Sequence, residues 1–376
     1  SAILEREYDL DRAEQAYAEL NGSKEKPLGV LLKYPVLVEE EREKKRLTKV
    51  VLGNKVTSGK VRIAVVGAGN FAKAVHLENL KKLSDLYHLR AVVSSTGSNA
   101  KSTAQRFGAD YASTDYQDVL NDPDVDAVLI CTRHHLHARM AIQAANAGKA
   151  ILLEKPMALN QKELDELVGV LRETKVPFIV GFNRRFSPAA RRVKEILEGR
   201  HNPIMILYRM NAGYLPPEHW TQTAEGGGRI VGEACHIIDL FQYFIGAKAL
   251  KVSSTAISPN SEHILPSDNA SITIRYEEGS VATLLYTSSG SIDYPKERME
   301  LFFDGKVVVL DDYKSLNCFG FHVKGWKSEI QDKGHLEELK SFALAVNNPD
   351  LMPIDLDDLS DVTTLTFKIA NRRILL

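Results

Sequence analysis

Cysteine is scarce: three in 376 residues. Cys131, Cys235 and Cys318 are widely scattered, with no metal-binding spacing and no even set for a disulfide framework. That excludes a cysteine-stapled module, and a reduced cytosolic setting fits. No apolar run approaches the length needed to cross a bilayer as a helix. The opening stretch, Ser1 to Leu10, is charged and lacks the apolar core of a secretory signal. Neither charge is in excess. The 48 basic and 49 acidic residues leave a net charge of −1, so the overall balance gives no pull toward nucleic acid or an anionic membrane. Internal repeats and long low-complexity segments are missing as well.

What is present is a chain with 44% apolar residues, long enough for two domains, or three if one is small. Residues 1–59 are charge-rich. They read as a helix from about Asp11 to Leu20, a strand Gly29 to Leu32 and a second helix from about Val38. So small a set cannot bury much core, and it is expected to pack on the rest or on a partner. From Val61 short apolar runs alternate with helical periods. Strands are expected at 62–66, 90–93, 127–131, 150–153 and 178–180, and helices at 71–83, 100–107, 135–147 and 161–174. This alternation implies right-handed crossovers and a parallel sheet covered on both faces. After about Arg185 the rhythm changes. Helices are expected at 189–197, 233–245, 336–346 and 356–374. Strands are expected at 204–208, 250–256, 270–276, 281–287, 298–303 and 306–310. Turn signals such as Glu277-Glu278-Gly279 and Asp304-Gly305 separate the later strands, as hairpins require.

Gly67-Ala68-Gly69-Asn70-Phe71-Ala72 directly follows the first strand of the alternating zone and opens a helix. This is the G-x-G-x-x-A form of the dinucleotide fingerprint. Gly67 permits the tight turn, Gly69 lets the backbone approach a pyrophosphate, and Ala72 lets helix and strand pack closely. The expected fold class is therefore α/β. An N-terminal Rossmann dinucleotide-binding domain spans 60–184. An α+β domain with an open, mostly antiparallel sheet spans 185–376, its C-terminal helix packing back on the first domain. An acid at the end of the second strand would clasp a ribose 2′-hydroxyl and repel a 2′-phosphate. Here that strand ends Val93-Ser94-Ser95-Thr96, with Lys101 and Arg106 nearby, so both NAD and NADP stay open as the cofactor.

Further along stand Cys131-Thr132-Arg133-His134-His135-Leu136-His137, Glu154-Lys155-Pro156, Gly181-Phe182-Asn183-Arg184-Arg185-Phe186 and Gly226-Gly227-Gly228, the last followed by Glu233-Ala234-Cys235-His236-Ile237-Ile238-Asp239. In that order and spacing they resemble the glucose-fructose oxidoreductase / inositol dehydrogenase / MocA (Gfo/Idh/MocA) family, from about Val61 to the end. Glu233-Ala234-Cys235-His236, Lys296-Glu297-Arg298 and Lys333-Gly334-His335 resemble a subgroup fused to a zinc-type alcohol dehydrogenase module. Gly29-Val30-Leu31-Leu32-Lys33-Tyr34-Pro35 resembles the closing stretch of such a module. On that resemblance the chain, which begins with Ser, reads as part of a longer protein, with a fused or associated alcohol dehydrogenase module as partner.

Lys155 follows a parallel strand at its carboxyl end, where ligands bind in open α/β sheets. Oxidising a hydroxyl needs a group that takes the proton as hydride leaves. A lysine can do this, or hold the oxygen, if burial and neighbouring charge lower its pKa. The resemblance implies that role for Lys155, with a Lys-Pro bond that is often cis. His236 and Asp239, three apart on a helix, share a face. An imidazole exchanges protons near neutral pH, and a carboxylate beside it orients it. The resemblance places both at the active site. Gly232 stands where many members carry an aspartate, and Glu233 is about 100° further round a helix, so it either contacts substrate or caps the helix. Thr132, His135, His137 and Glu154 resemble the cofactor side, with Lys155 reaching from it. Asn183, Arg185, Trp220 and Glu233 are candidates for contact with substrate; for the arginine a structural salt link is the competing reading. Three histidines in four positions invite a metal, but no acid or thiolate has a fitting spacing, so none is expected.

Three readings follow. The first is an NAD(P)-dependent oxidoreductase interconverting a secondary hydroxyl and a ketone on a sugar, nucleotide sugar or cyclitol. The second is a redox-neutral enzyme holding NAD tightly, for elimination or glycoside cleavage. The third is a sensing module without catalysis, for which Gly232 speaks. A homo-oligomer, dimer or tetramer, is expected because the open face of a large sheet needs cover.

Overall fold

The computed structural model describes residues 6–22, 30–34, 48–53, 59–322 and 325–371. The chain divides between Thr48 and Lys49 into two units. In the first, β1 (Arg6–Asp9) pairs in parallel with β2 (Val30–Lys33), joined through α1 (Ala13–Gly22), on which Ala16 is the buried residue. The charged β1 carries no strand signal and was not expected. The expected second helix from about Val38 lies outside the described residues, as do Gly29 and the last residues of the terminal helix.

The second unit begins with a strand that the sequence assigns to the N-terminal zone. β3 (Lys49–Val51) is the antiparallel edge of a seven-stranded sheet. The other strands are β4 (Val61–Val66), β5 (Tyr87–Val93), β6 (Tyr111–Ser113), β7 (Ala127–Ile130), β8 (Ala150–Leu153) and β9 (Phe178–Val180). The sheet order is β3-β6-β5-β4-β7-β8-β9, and all pairs but the first are parallel. The reversal of order beside β4 creates the crevice where ligands bind in such sheets. Runs such as Ala-Val-Leu-Ile in β7 and Ala-Ile-Leu-Leu in β8 do not alternate, and every residue in them is buried, because helices cover both faces. The crossover helices are a segment over 70–82, wound as a π turn at Ala72–His76 before α2 (Leu77–Lys82), then α3 (Gly97–Phe107), α4 (Gln117–Leu120), α5 (His137–Asn146) and α6 (Gln161–Thr174). Asn160 caps α6 by accepting from the Glu163 amide, while Glu163 accepts from the Leu159 amide.

Ser187 caps α7 (Pro188–Leu197), with Pro at its first position. Next come β10 (Met205–Asn211), a π turn at Ile230–Ala234 and α8 (Cys235–Ile245). The strands β11 (Ala249–Ala256), β12 (Asn269–Tyr276), β13 (Val281–Thr287), β14 (Glu297–Phe303), β15 (Lys306–Asp311), β16 (Ser315–Phe319) and β17 (Trp326–Lys327) complete an eight-stranded sheet in the order β11-β12-β13-β10-β14-β15-β16-β17. Only β10 with β13 is a parallel pair. Buried and more exposed residues alternate along β12, β13 and β14, so one face of the sheet is buried and the other is open. Asp304 and Gly305 both have positive φ in the β14–β15 hairpin, as a type I′ turn demands. Two helices tie the domains together. Leu339, Phe342 and Ala343 of α9 (His335–Asn347) share a core with Ile63, Val65 and Leu77. The last helix, α10 (Leu356–Asn371), lies against α6, α8 and β9.

Candidate active site

A cavity of about 990 Å³ opens at the carboxyl end of the parallel strands, between the two sheets. Its floor is the glycine loop. The amides of Gly67 and Ala68 are spent on the Val93 carbonyl. Gly67 has φ 96, and a Cβ there would lie 2.7 Å from the Cys131 carbonyl group and 2.8 Å from the Thr132 amide. Backbone cannot move aside as a side chain can, so the turn requires glycine. A Cβ on Gly69 would meet nothing within 4 Å, so the space over the loop is open. Asn70, Phe71 and Ala72 line the same floor in the first helical turn, whose amides have no intrahelical acceptor. The loop thus has the room and the donors that a diphosphate needs. At the end of β5, Ser94 and Ser95 line the cavity with Asn99, whose amide nitrogen donates to Ser94 Oγ at 2.7 Å and to the Ala68 carbonyl at 2.9 Å. Among the described residues lining this end there is no carboxylate.

β8 delivers Glu154 and Lys155, the latter joined to Pro156 by a cis bond. Glu154 is buried and accepts a 2.7 Å hydrogen bond from His76, a residue of the Ala72–His76 π turn. Burial works to raise its carboxyl, but His76, Lys155 and His335 outweigh that and hold it at about 2. Lys155 Nζ donates to the Gly232 carbonyl at 2.7 Å, which ties the first domain to the π turn leading into α8. One helical turn further on, His236 lines the cavity. Burial, then the charges of Arg184 and Lys155, push its pKa well below 6.5. Its Nδ1 is buried and has no hydrogen-bond partner in the structure. Glu233 also faces the cavity, held by Arg229 at 2.8 Å, Lys296 at 2.7 Å and the Tyr286 hydroxyl. Against the effect of burial, these keep its carboxyl at about 2.

Lys155, His236, Glu233, Asn183, Trp220, Thr132 and His137 therefore come together around one space, with Gly67–Ala72 and Ser94–Ser95. His137 serves as a strut: its ring nitrogens lie 2.9 Å and 3.1 Å from the carbonyls of Pro156 and Thr132. Four expected site residues are elsewhere. Asp239 does not orient His236. It is fully buried, and its two oxygens are taken by Arg185. Arg185 for the same reason does not reach the substrate space, and its guanidinium lies over the Tyr243 ring. His135 is exposed and turned away, its amide bonded to the Glu225 carbonyl, while the preceding His134 enters the cavity. Thr96 is exposed and takes up the N-cap position of α3.

Several cavity residues carried no assignment in the sequence. His134 belongs to the histidine run, one place before His135. Arg184 lines the cavity while its guanidinium is paired with Glu297 at 2.8 Å and 3.0 Å. Lys333 also donates to Glu297, at 2.6 Å. His335 packs edge-on against Phe71 and His76, and burial brings its pKa to about 4. The signal for the last two is Lys333-Gly334-His335, which in the sequence marks only the resemblance to the subgroup. Among the described residues no group of histidine, cysteine and acid side chains is placed to hold a metal, and no helix is long and apolar enough to cross a membrane.

Residues 61–182 match the model of an oxidoreductase family with an NAD-binding Rossmann fold, and residues 191–308 that of a GFO/IDH/MocA C-terminal domain. Myo-inositol 2-dehydrogenase of Thermotoga maritima is 26% identical over 297 residues, 75% of this chain and 87% of that protein. The scyllo-inositol 2-dehydrogenase (NAD(+)) of Bacillus subtilis is 33% identical over 196 residues, 51% of this chain and 56% of its own length. A solved levoglucosan dehydrogenase in complex with NADH superposes with a TM-score of 0.72 at 21% identity, covering 83% of this chain and 96% of its own; at that identity the likeness speaks for the fold.

Proposed function

Because this chain belongs to the GFO/IDH/MocA family of oxidoreductases with an NAD-binding Rossmann domain, we propose that it interconverts a secondary hydroxyl and a ketone on a sugar, nucleotide sugar or cyclitol. The observation that carries this reading is the sharing of one cavity by the glycine loop, Lys155 and His236. Gly67–Ala72, Ser94, Ser95, Thr132 and Glu154 hold the dinucleotide. When bound, it supplies a nicotinamide ring that takes or returns hydride. Lys155 spends one of its N–H bonds on the Gly232 carbonyl, which leaves two for the substrate oxygen. His236 is kept neutral by burial and by the cations around it, so its imidazole has a lone pair for the hydroxyl proton. As the C–H electron pair leaves, the O–H bond breaks and the proton passes to His236, while Lys155 steadies the developing charge on oxygen. In the reverse direction His236 returns the proton. Asn183, Trp220 and Glu233 line the substrate end. The names of the inositol and levoglucosan relatives support a polyol as substrate. Association with an alcohol dehydrogenase module, and homo-oligomerisation through the open sheet face, belong to the same proposal.

The test is turnover of NAD and NADP with myo-inositol, scyllo-inositol, levoglucosan and UDP-N-acetylglucosamine, followed by formation of the reduced nicotinamide. Wild-type protein is expected to reduce cofactor with at least one of them, and Lys155→Ala to lose that activity while still binding cofactor. Equal turnover by wild type and Lys155→Ala would overturn the reading.

A further inference from the structure

Gly232 sits on the Ile230–Ala234 π turn, one turn before His236, and its carbonyl holds Lys155. A Cβ built on Gly232 would lie 2.8 Å from Cε1 and 3.3 Å from Nδ1 of His134. The ring of His134 therefore occupies the volume that any side chain at position 232 would need. That ring arrives from the opposite domain, on the short turn His134–Leu136 after β7. It is buried and held on three sides. Its Nδ1 lies 2.8 Å from the Gly226 carbonyl, Trp220 meets it edge-on at 4.8 Å, and His137 lies 5.5 Å away.

These contacts settle the tautomer. Burial and then the neighbouring Lys155 bring the His134 pKa to about 3, so the ring is neutral at ordinary pH and carries a single proton. The Gly226 carbonyl can only accept, so that proton is on Nδ1. Nε2 is left as an uncharged acceptor on a residue that lines the same cavity as Lys155 and His236. Lys155 donates and cannot accept; Glu233 accepts but is already engaged by Arg229, Lys296 and Tyr286. His134 Nε2 has no hydrogen-bond partner among the described contacts, and the ring that carries it is fixed by its neighbours at the wall of this cavity.

We propose that His134 is a specificity-determining residue: its Nε2 accepts a hydrogen bond from a second hydroxyl of the substrate, next to the one that reacts, and Gly232 is what makes room for the ring. The inference rests on the oxidoreductase reading and names its substrate class more closely, as a vicinal diol. A deoxy analogue would leave Nε2 unpaired beside the reacting carbon and be disfavoured about tenfold or more.

The experiment uses the polyol that wild-type protein turns over, its analogue lacking the adjacent hydroxyl, and the variants His134→Phe, His134→Gln and Gly232→Ala. His134→Phe keeps the ring but loses the acceptor. It is expected to raise KM for the diol about tenfold and to bring diol and deoxy analogue level, with the Kd for NAD unchanged. His134→Gln, which regains an acceptor, is expected to restore part of the discrimination. Gly232→Ala pushes the ring aside without altering its chemistry, and is also expected to raise KM for the diol. Unchanged discrimination in soluble His134→Phe, or a rise in the Kd for NAD that matches the rise in KM, would overturn the proposal and leave the oxidoreductase reading standing. Wild-type protein that binds NAD but oxidises none of the polyols would instead overturn that reading, and this inference with it.

Discussion

Replacing each of the two loop glycines by alanine separates fold from cofactor binding. At Gly69 the added methyl meets nothing within 4 Å, and the residue is outside the left-handed region. Gly69→Ala should therefore leave stability within about 0.5 kcal/mol of wild type. The methyl does, however, project where a diphosphate must approach the backbone. Losing one charge-assisted hydrogen bond there costs about 1.5–3 kcal/mol, or roughly a ten- to hundredfold rise in the Kd for NAD. Gly67 is the opposite case. Its φ of 96 would cost an alanine about 1–2 kcal/mol. The clash at 2.7 Å with the Cys131 backbone adds about 1–3 kcal/mol of overpacking. Gly67→Ala should lose about 2–5 kcal/mol of stability. Urea unfolding gives the first quantity and calorimetric titration with NAD the second. Wild-type affinity for NAD in Gly69→Ala would refute the assignment of this loop, and wild-type stability in Gly67→Ala would refute the close packing on which it rests.

The buried histidines predict acid lability. His134, with a pKa of about 3, His335, at about 4, and His236, well below 6.5, stay neutral in the fold, whereas the unfolded chain protonates them below about pH 6.5. The unfolded state then binds more protons, so stability falls as pH drops from 6.5 toward 4, by up to ~1.4 kcal/mol per unit for each ring. Denaturant midpoints that do not move between pH 7 and pH 5 would contradict this. Glu338 acts in the other direction. It is fully buried, both its oxygens lack partners, and burial pushes its carboxyl well above 4.5. The fold keeps a proton that the unfolded chain releases, so Glu338→Gln should be more stable than wild type at pH 7 by up to about 3 kcal/mol, with the gain vanishing near pH 4.5. A gain that does not depend on pH would show that Glu338 is ionised. Asp239→Asn should lose about 3–5 kcal/mol of stability by stranding the buried Arg185. Full stability with lost turnover would restore Asp239 to the active site.

Much of the scaffold could be read directly from the chain. The elements Gln161–Thr174, Ala150–Leu153 and Phe178–Val180 are where the apolar pattern puts them, because their runs are long or wholly apolar and capped by residues such as Asn160. Tyr111–Ser113, Ser315–Phe319 and Trp326–Lys327 were not expected: they are short, partly polar, and exist because a neighbouring strand offers its edge. Arg6–Asp9 is a strand only by virtue of its partner. In the cavity, the glycine loop and Lys155 stand at the strand ends where their motifs put them, and Glu233, Trp220 and His236 line the same space. Asp239 was misplaced because i,i+3 spacing says which residues share a face but not what else reaches that face. Arg185 comes from 54 positions away to claim it. His134 and His135 were exchanged because a one-turn segment directly after a strand has no repeating pattern from which its phase can be read.

The central claim is that an amine from the parallel sheet and an imidazole from α8 act on one hydroxyl group, the imidazole on its proton and the amine on its oxygen. The most direct measurement is the rate of cofactor reduction by wild type, Lys155→Ala, His236→Ala and the double variant, at saturating cofactor and with one polyol. Groups that serve the same step are strongly non-additive, so the double variant is predicted to be no slower than the slower single one. Losses that multiply, or single variants that both retain wild-type rates, would contradict the account.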